Sequence, residues 1–142
     1  MGVVFDLILA DLADLERMVS FATFPEMDII STKVLDPVTL AQLHAATTNQ
    51  SYEEVEEHYT PIFEAGLDGP CVIMLPNEFV FRLANLNDFE LEQVGQVWAG
   101  TEEIQIHKEL TEAWVQTLVR DIQRLASRAK LAKKNLFLRC SL

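Results

Sequence analysis

The sequence predicts an α+β fold: a small, mainly antiparallel sheet of about three strands packed with five or six helices, in a single domain over residues 1–142. Three observations carry this. Apolar runs of strand character open, divide and close the chain, at residues 2–9, 71–75 and 136–140. Several helix-period segments separate each run from the next, so there is no regular βαβ alternation. A length of 142 residues also suits one core, and neither an internal repeat nor a low-complexity linker divides it.

The first run is bounded by acids, and its Val, Phe and Ile content favours a strand. From Asp11 onward Leu12, Leu15, Val19 and Ala22 recur at helical spacing, which predicts a first helix ending before Pro25. Residues 26–35 lack a clear period and read as a connection with room for a short strand. Asp36-Pro37 predicts a helix start, because Asp accepts from free first-turn amides and Pro has no N–H to leave unpaired there. That second helix runs to about Thr47. Ser51 with Glu54 has capping-box spacing, opening a short acidic helix to Tyr59.

The turn-rich Gly66-Leu-Asp68-Gly69-Pro70 precedes Cys71-Val-Ile-Met-Leu75, a continuous apolar run that reads as a central strand closed by Pro76. Phe79, Val80, Leu83 and Leu86 then mark one helix. Asn87-Asp88 restarts another, with Leu91, Val94, Val97 and Trp98 on one side and Gly100 at its end. Thr111 caps the longest helix, whose apolar stripe is Trp114, Leu118, Ile122, Leu125 and Ala129, with Arg120, Arg124 and Arg128 four residues apart. Asn135 stops it, and Leu136 to Cys140 form the last strand.

The chain is acidic, with a formal net charge of −11, and unevenly so. Residues 1–116 hold 21 acids and 4 bases, whereas residues 117–142 hold one acid and seven bases. An acidic surface of this size repels phosphate backbones, which argues against nucleic acid as a partner. The bases at Lys130, Lys133 and Lys134 fall in the last turns of a helix, where cations complement the dipole. The first residues have no basic n-region and Asp6 interrupts them, so they make a poor signal peptide, and Asp6 also breaks a myristoylation pattern. No apolar run is long enough to span a bilayer; these features together predict a cytoplasmic protein that binds no membrane. Cys71 and Cys140 both lie in strand-like runs and read as reduced, buried thiols, though a disulfide between neighbouring strands stays open.

Catalytic signatures are missing from the sequence. His44, His58 and His107 have no metal-ligand spacing, so no metal is expected, and neither a nucleophile elbow nor a Gly-rich phosphate loop occurs, so no cofactor is implied. Glu54 with His58, and Glu103 with His107, are four apart and would pair on a helix face. The acids Glu53, Glu54, Glu56 and Glu57 read as a solvated face that could dock a basic partner. The polar-aromatic cluster Trp98, Thr101, Glu102 and Glu103, joined by His44 from another helix, is the candidate ligand pocket.

The ordered set Asp36-Pro37, Leu43-His44, Asp68-Gly69-Pro70, Leu75-Pro76, Phe79-Val80, Leu83 and Trp98 to Glu103 resembles small bacterial proteins of the YfbM-like kind. The resemblance spans residues 36–142. It implies a bacterial α+β domain and brings no activity that can be carried over to particular residues.

The leading expectation is therefore a non-enzymatic protein-binding module, of the immunity or antitoxin-like inhibitor type, acting on a basic partner. A small-molecule-binding protein or enzyme with a pocket near Trp98 to Glu103 is the alternative. A homo-oligomeric structural domain, its acidic body pairing with a basic end, is the third reading.

Overall fold

The computed structural model describes residues 4–66 and 69–141. The first two residues of the expected opening strand, and Leu67 and Asp68 of the expected turn, lie outside that range. Along the described chain come β1 (Val4–Ala10), a 3-10 turn (Leu12–Asp14), α1 (Leu15–Val19), a second 3-10 turn (Glu26–Asp28) and β2 (Ile29–Thr32). Then follow α2 (Pro37–Thr48), α3 (Tyr52–Glu56), β3 (Phe63–Glu64), β4 (Cys71–Met74), α4 (Asn77–Asn85) and α5 (Asp88–Ala99). The chain closes with α6 (Glu102–Gln105), α7 (Glu112–Ala132) and β5 (Asn135–Ser141).

Among the described residues the sheet has five strands in the order β2-β1-β5-β4-β3, all neighbours antiparallel. Side chains alternate faces along each strand. Leu7 and Leu9 of β1, Ile73 of β4, and Leu136 and Leu138 of β5 point to a large core shared with α2, α4, α5 and α7. Ile8, Ala10, Val72 and Phe137 point the other way, where Met18 of α1 and the half-buried Phe24 cover a smaller cluster. Both faces of the middle strands are therefore buried, which is why their sequences read as continuous apolar runs rather than alternating ones.

Helix ends follow local chemistry. The Asp36 carboxylate accepts from the Thr39 amide at 2.8 Å, with Pro37 in the first turn of α2. Asn87 and Glu90 form a reciprocal capping box on α5, and the Thr111 hydroxyl accepts from the Trp114 amide to open α7. Lys133 adopts a left-handed conformation, φ 56°, ending α7 before β5. Gly95 leaves room for the end of the Gln116 side chain from α7, whose amide donates to the Glu92 carbonyl at 2.9 Å; a Cβ there would lie 2.5 Å from it.

The structure corrects several expectations. The sheet has five strands, not about three, and seven α-helices occur among the described residues, not five or six. β2 falls in the 26–35 connection that had room for a short strand, whereas β3 was not anticipated; with four and two residues they are too short to show a period. The first helix does end before Pro25, but it stops at Val19, short of Ala22, because Phe21 turns the backbone left-handed at φ 58°. Its buried residue is Met18, whereas Leu12 is exposed. α3 stops at Glu56, short of Tyr59. Val97 and Trp114, expected in apolar stripes, are 61% and 39% exposed. The run at 71–75 does lie inside the sheet, but its exact middle position belongs to β5.

Candidate functional site

The residues expected to form a ligand pocket are not gathered into one cavity. Trp98 is fully buried, and its indole N–H donates to the Thr39 carbonyl at 2.9 Å, tying α5 to the first turn of α2. The Thr101 hydroxyl turns back to the Trp98 carbonyl at 2.7 Å. Glu102 stays exposed on α6. The neighbouring cleft, about 430 Å³ between the end of α5 and the start of α7, is lined by Gly100, Ile104, His107, Lys108 and Thr111 among others, and by none of Trp98, Thr101, Glu102 or Glu103.

His44 belongs to the core on α2. It is 3% exposed, stacks on Phe79 with ring centroids 4.7 Å apart, and places Nδ1 2.9 Å from the Tyr59 hydroxyl. Burial, helped by the nearby His58, lowers its pKa to about 4, so the ring is neutral at pH 7 and can accept the phenol's proton in a hydrogen bond. Burial pushes the Tyr59 phenol well above its ordinary range. The pair fastens the segment after α3 to α2.

That fastening shapes a groove of about 400 Å³ between α2 and α3. Pro37, Val38, Ala41, Tyr52 and Tyr59 supply its apolar and aromatic surface, and Glu53, Glu56 and Glu57 stand at its edge. Three of the four acids expected to meet a partner therefore line one hollow. The fourth, Glu54, faces its own cap, taking a hydrogen bond from the Ser51 hydroxyl at 3.1 Å. The Tyr52 phenol is raised in pKa by desolvation, then by the charge of Glu56 and a hydrogen bond to it, and further by Glu103 and Asp36. Glu103 thus contributes to the field of the acidic groove. Tyr52 and Tyr59 were not singled out in the sequence, although an aromatic on each side of an acidic run was a visible signal.

The two carboxylate–histidine pairs do not form. α3 ends before His58, and no ion pair joins it to Glu54 among the described residues. His107 instead places Nδ1 3.8 Å from Glu109. Among the described residues no group of three or more His, Cys, Asp or Glu side chains is placed to hold a metal, and no helix is long and apolar enough to cross a membrane. Cys71 and Cys140 are free thiols directly opposite each other on β4 and β5. Burial pushes both up in pKa, Cys140 to about 12.

Compared with known proteins, the chain matches no family model, no curated sequence and no solved structure at a significant level.

Proposed function

We propose that this chain is a non-enzymatic protein-binding module, of the immunity or antitoxin-like inhibitor type, that receives a basic segment of its partner in the groove between α2 and α3. The observation that carries the reading is the pairing of an apolar, tyrosine-bearing floor with Glu53, Glu56 and Glu57 at its edge. Lysine and arginine bury their stems against apolar surface while their heads stay polar, and a guanidinium is attracted to a tyrosine face. The acidic field of the body would also speed the approach of a cationic partner. The likeness to YfbM-like proteins is compatible with this reading and adds no activity to it.

The test uses a fluorescent arginine-rich peptide and the full chain, titrated from about 50 to about 300 mM salt. Binding is expected to weaken with salt and to be lost in the triple variant Glu53→Lys, Glu56→Lys, Glu57→Lys. A control variant of equal charge change at exposed positions outside the groove, Glu16→Lys, Glu78→Lys, Glu92→Lys, separates the groove from net charge alone. Equal losses in the two variants would remove the groove from the proposal.

A further inference from the structure

The geometry points to a second, separate binding surface, where the free edge of β2 and the flank of α7 receive an extended strand from another protein by β-augmentation. Three features of the fold lead there. Among the described residues β2 is an edge of the sheet, paired with β1 alone. Its unpaired backbone groups can be identified from the ladder. The Leu75 amide donates to the Leu136 carbonyl at 2.9 Å, which fixes the phase of the hydrogen-bonded pairs in the antiparallel sheet. With the observed registers, Phe137 and Arg139 turn their backbone groups to Ile8 and Asp6, and Leu7 and Phe5 turn theirs to Ile30 and Thr32. Ile29 and Ser31 are left with N–H and C=O directed outward.

Beside that edge, on the α7 side of the sheet, lie two adjoining hollows of about 340 and 230 Å³. Both are lined by Ile30 and Asp121. One adds Met27, Leu125 and Arg128, the other Trp114 and Leu118. Met27 is 70% exposed and Trp114 39%. A strand added to β2 would point every second side chain at α7, about 7 Å apart, which suits two hollows side by side.

The occupant is therefore an extended peptide segment with apolar residues at positions i and i+2. The groove wall also sets its charge. Arg124 and Arg128 line the larger hollow, and Arg120 precedes them by one turn on the basic stretch of an otherwise acidic chain. Arg128 is held by Asp28 at 2.6 Å, whereas Arg124, with its side chain 71% exposed, has only the surface partner Asp121 among the described residues. An acidic residue next to the apolar pair complements Arg124 and Arg120. A second copy of the chain suits the edge less well, since each copy carries a formal charge of −11.

The experiment is selection of random octapeptides displayed on phage against the immobilised full chain, followed by amide-resolved NMR with the enriched synthetic peptides. Enrichment of apolar-x-apolar sequences with a flanking acid is expected, with shifts and exchange protection centred on Ile29 and Ser31. Ser31→Pro removes the outward N–H without touching a β1–β2 hydrogen bond, and should weaken binding about tenfold. Because that change also deletes the Ser31 hydroxyl bond to Asp6, Met27→Glu at an exposed position serves as the second variant and should weaken binding as well. The triple lysine variant of the acidic groove should bind these peptides unchanged, which keeps the two surfaces distinguishable. Failure to enrich any such sequence, binding indifferent to both edge variants, shifts centred on α2 and α3, or a chain already dimeric through β2 in sedimentation would each overturn the proposal.

Discussion

His44 shows how one residue's meaning is set by partners the sequence does not place. In the sequence it is a lone histidine that could reach a pocket; in the fold it is closed off between Phe79 and Tyr59. Its folded pKa of about 4 lies below the ordinary 6.5, so the unfolded chain binds the proton more readily. The stability this depression implies is fully present above about pH 6.5 and is lost as pH falls towards 4, below which the group has no further effect. Thermal melts of the wild type and of His44→Gln, from pH 7.5 downward, should diverge in that window, the wild type falling more steeply; parallel curves would show that His44 does not govern the acid limb. Tyr59 was legible only as an aromatic after an acidic run. Its contact with a ring fifteen residues earlier depends on where α3 stops, and no local pattern marks that point.

Among the elements, helices with capping chemistry or a clear apolar period and strands buried on both faces were legible, and the short edge strands were not. Asp36-Pro37, Ser51, Asn87 and Thr111 announce α2, α3, α5 and α7 because a side chain and its backbone amide are three residues apart. β2 and β3 exist only because β1 and β4 offer them an edge. The β1–β5 pair also contains a buried ion pair: Arg139 donates to Asp6 at 2.9 and 3.1 Å, the Ser31 hydroxyl donates to the same carboxylate at 2.6 Å, and Phe21 and Phe24 lie against the guanidinium. Asp6 looked like an interruption of an apolar strand, because its partner is 133 residues away. Removing one member strands a buried charge, so Arg139→Met should cost about 3–5 kcal/mol in urea unfolding. The double variant Asp6→Leu, Arg139→Met should recover most of that loss, since it leaves no charge unpaired; a double variant as weak as the single one would mean that the pair's geometry, not its charge balance, holds the strands.

For the whole molecule, fold class and charge asymmetry were legible, but the strand order was not. A formal charge of −11 on a chain of this size also acts on its own stability through self-repulsion. Melting temperature should therefore rise by a few degrees between about 20 and about 200 mM sodium chloride, as screening relaxes the repulsion. An unchanged melting point would indicate that paired bases such as Arg128 with Asp28 already offset the field. Strand order was hidden because the sheet joins the two ends of the sequence: β5 lies between β1 and β4, and its register with β1 pairs Val4 with Ser141. That arrangement has a consequence for biosynthesis. A nascent chain leaving the ribosome can form α2, α4 and α5 early, but β1 and β4 have no common neighbour until β5 has emerged, so the two halves of the sheet wait side by side with their inner edges open. Native assembly of the sheet is thus deferred until β5 is released, and until then Ile8, Val72 and their neighbours lack the cover that Phe137 gives them in the folded protein.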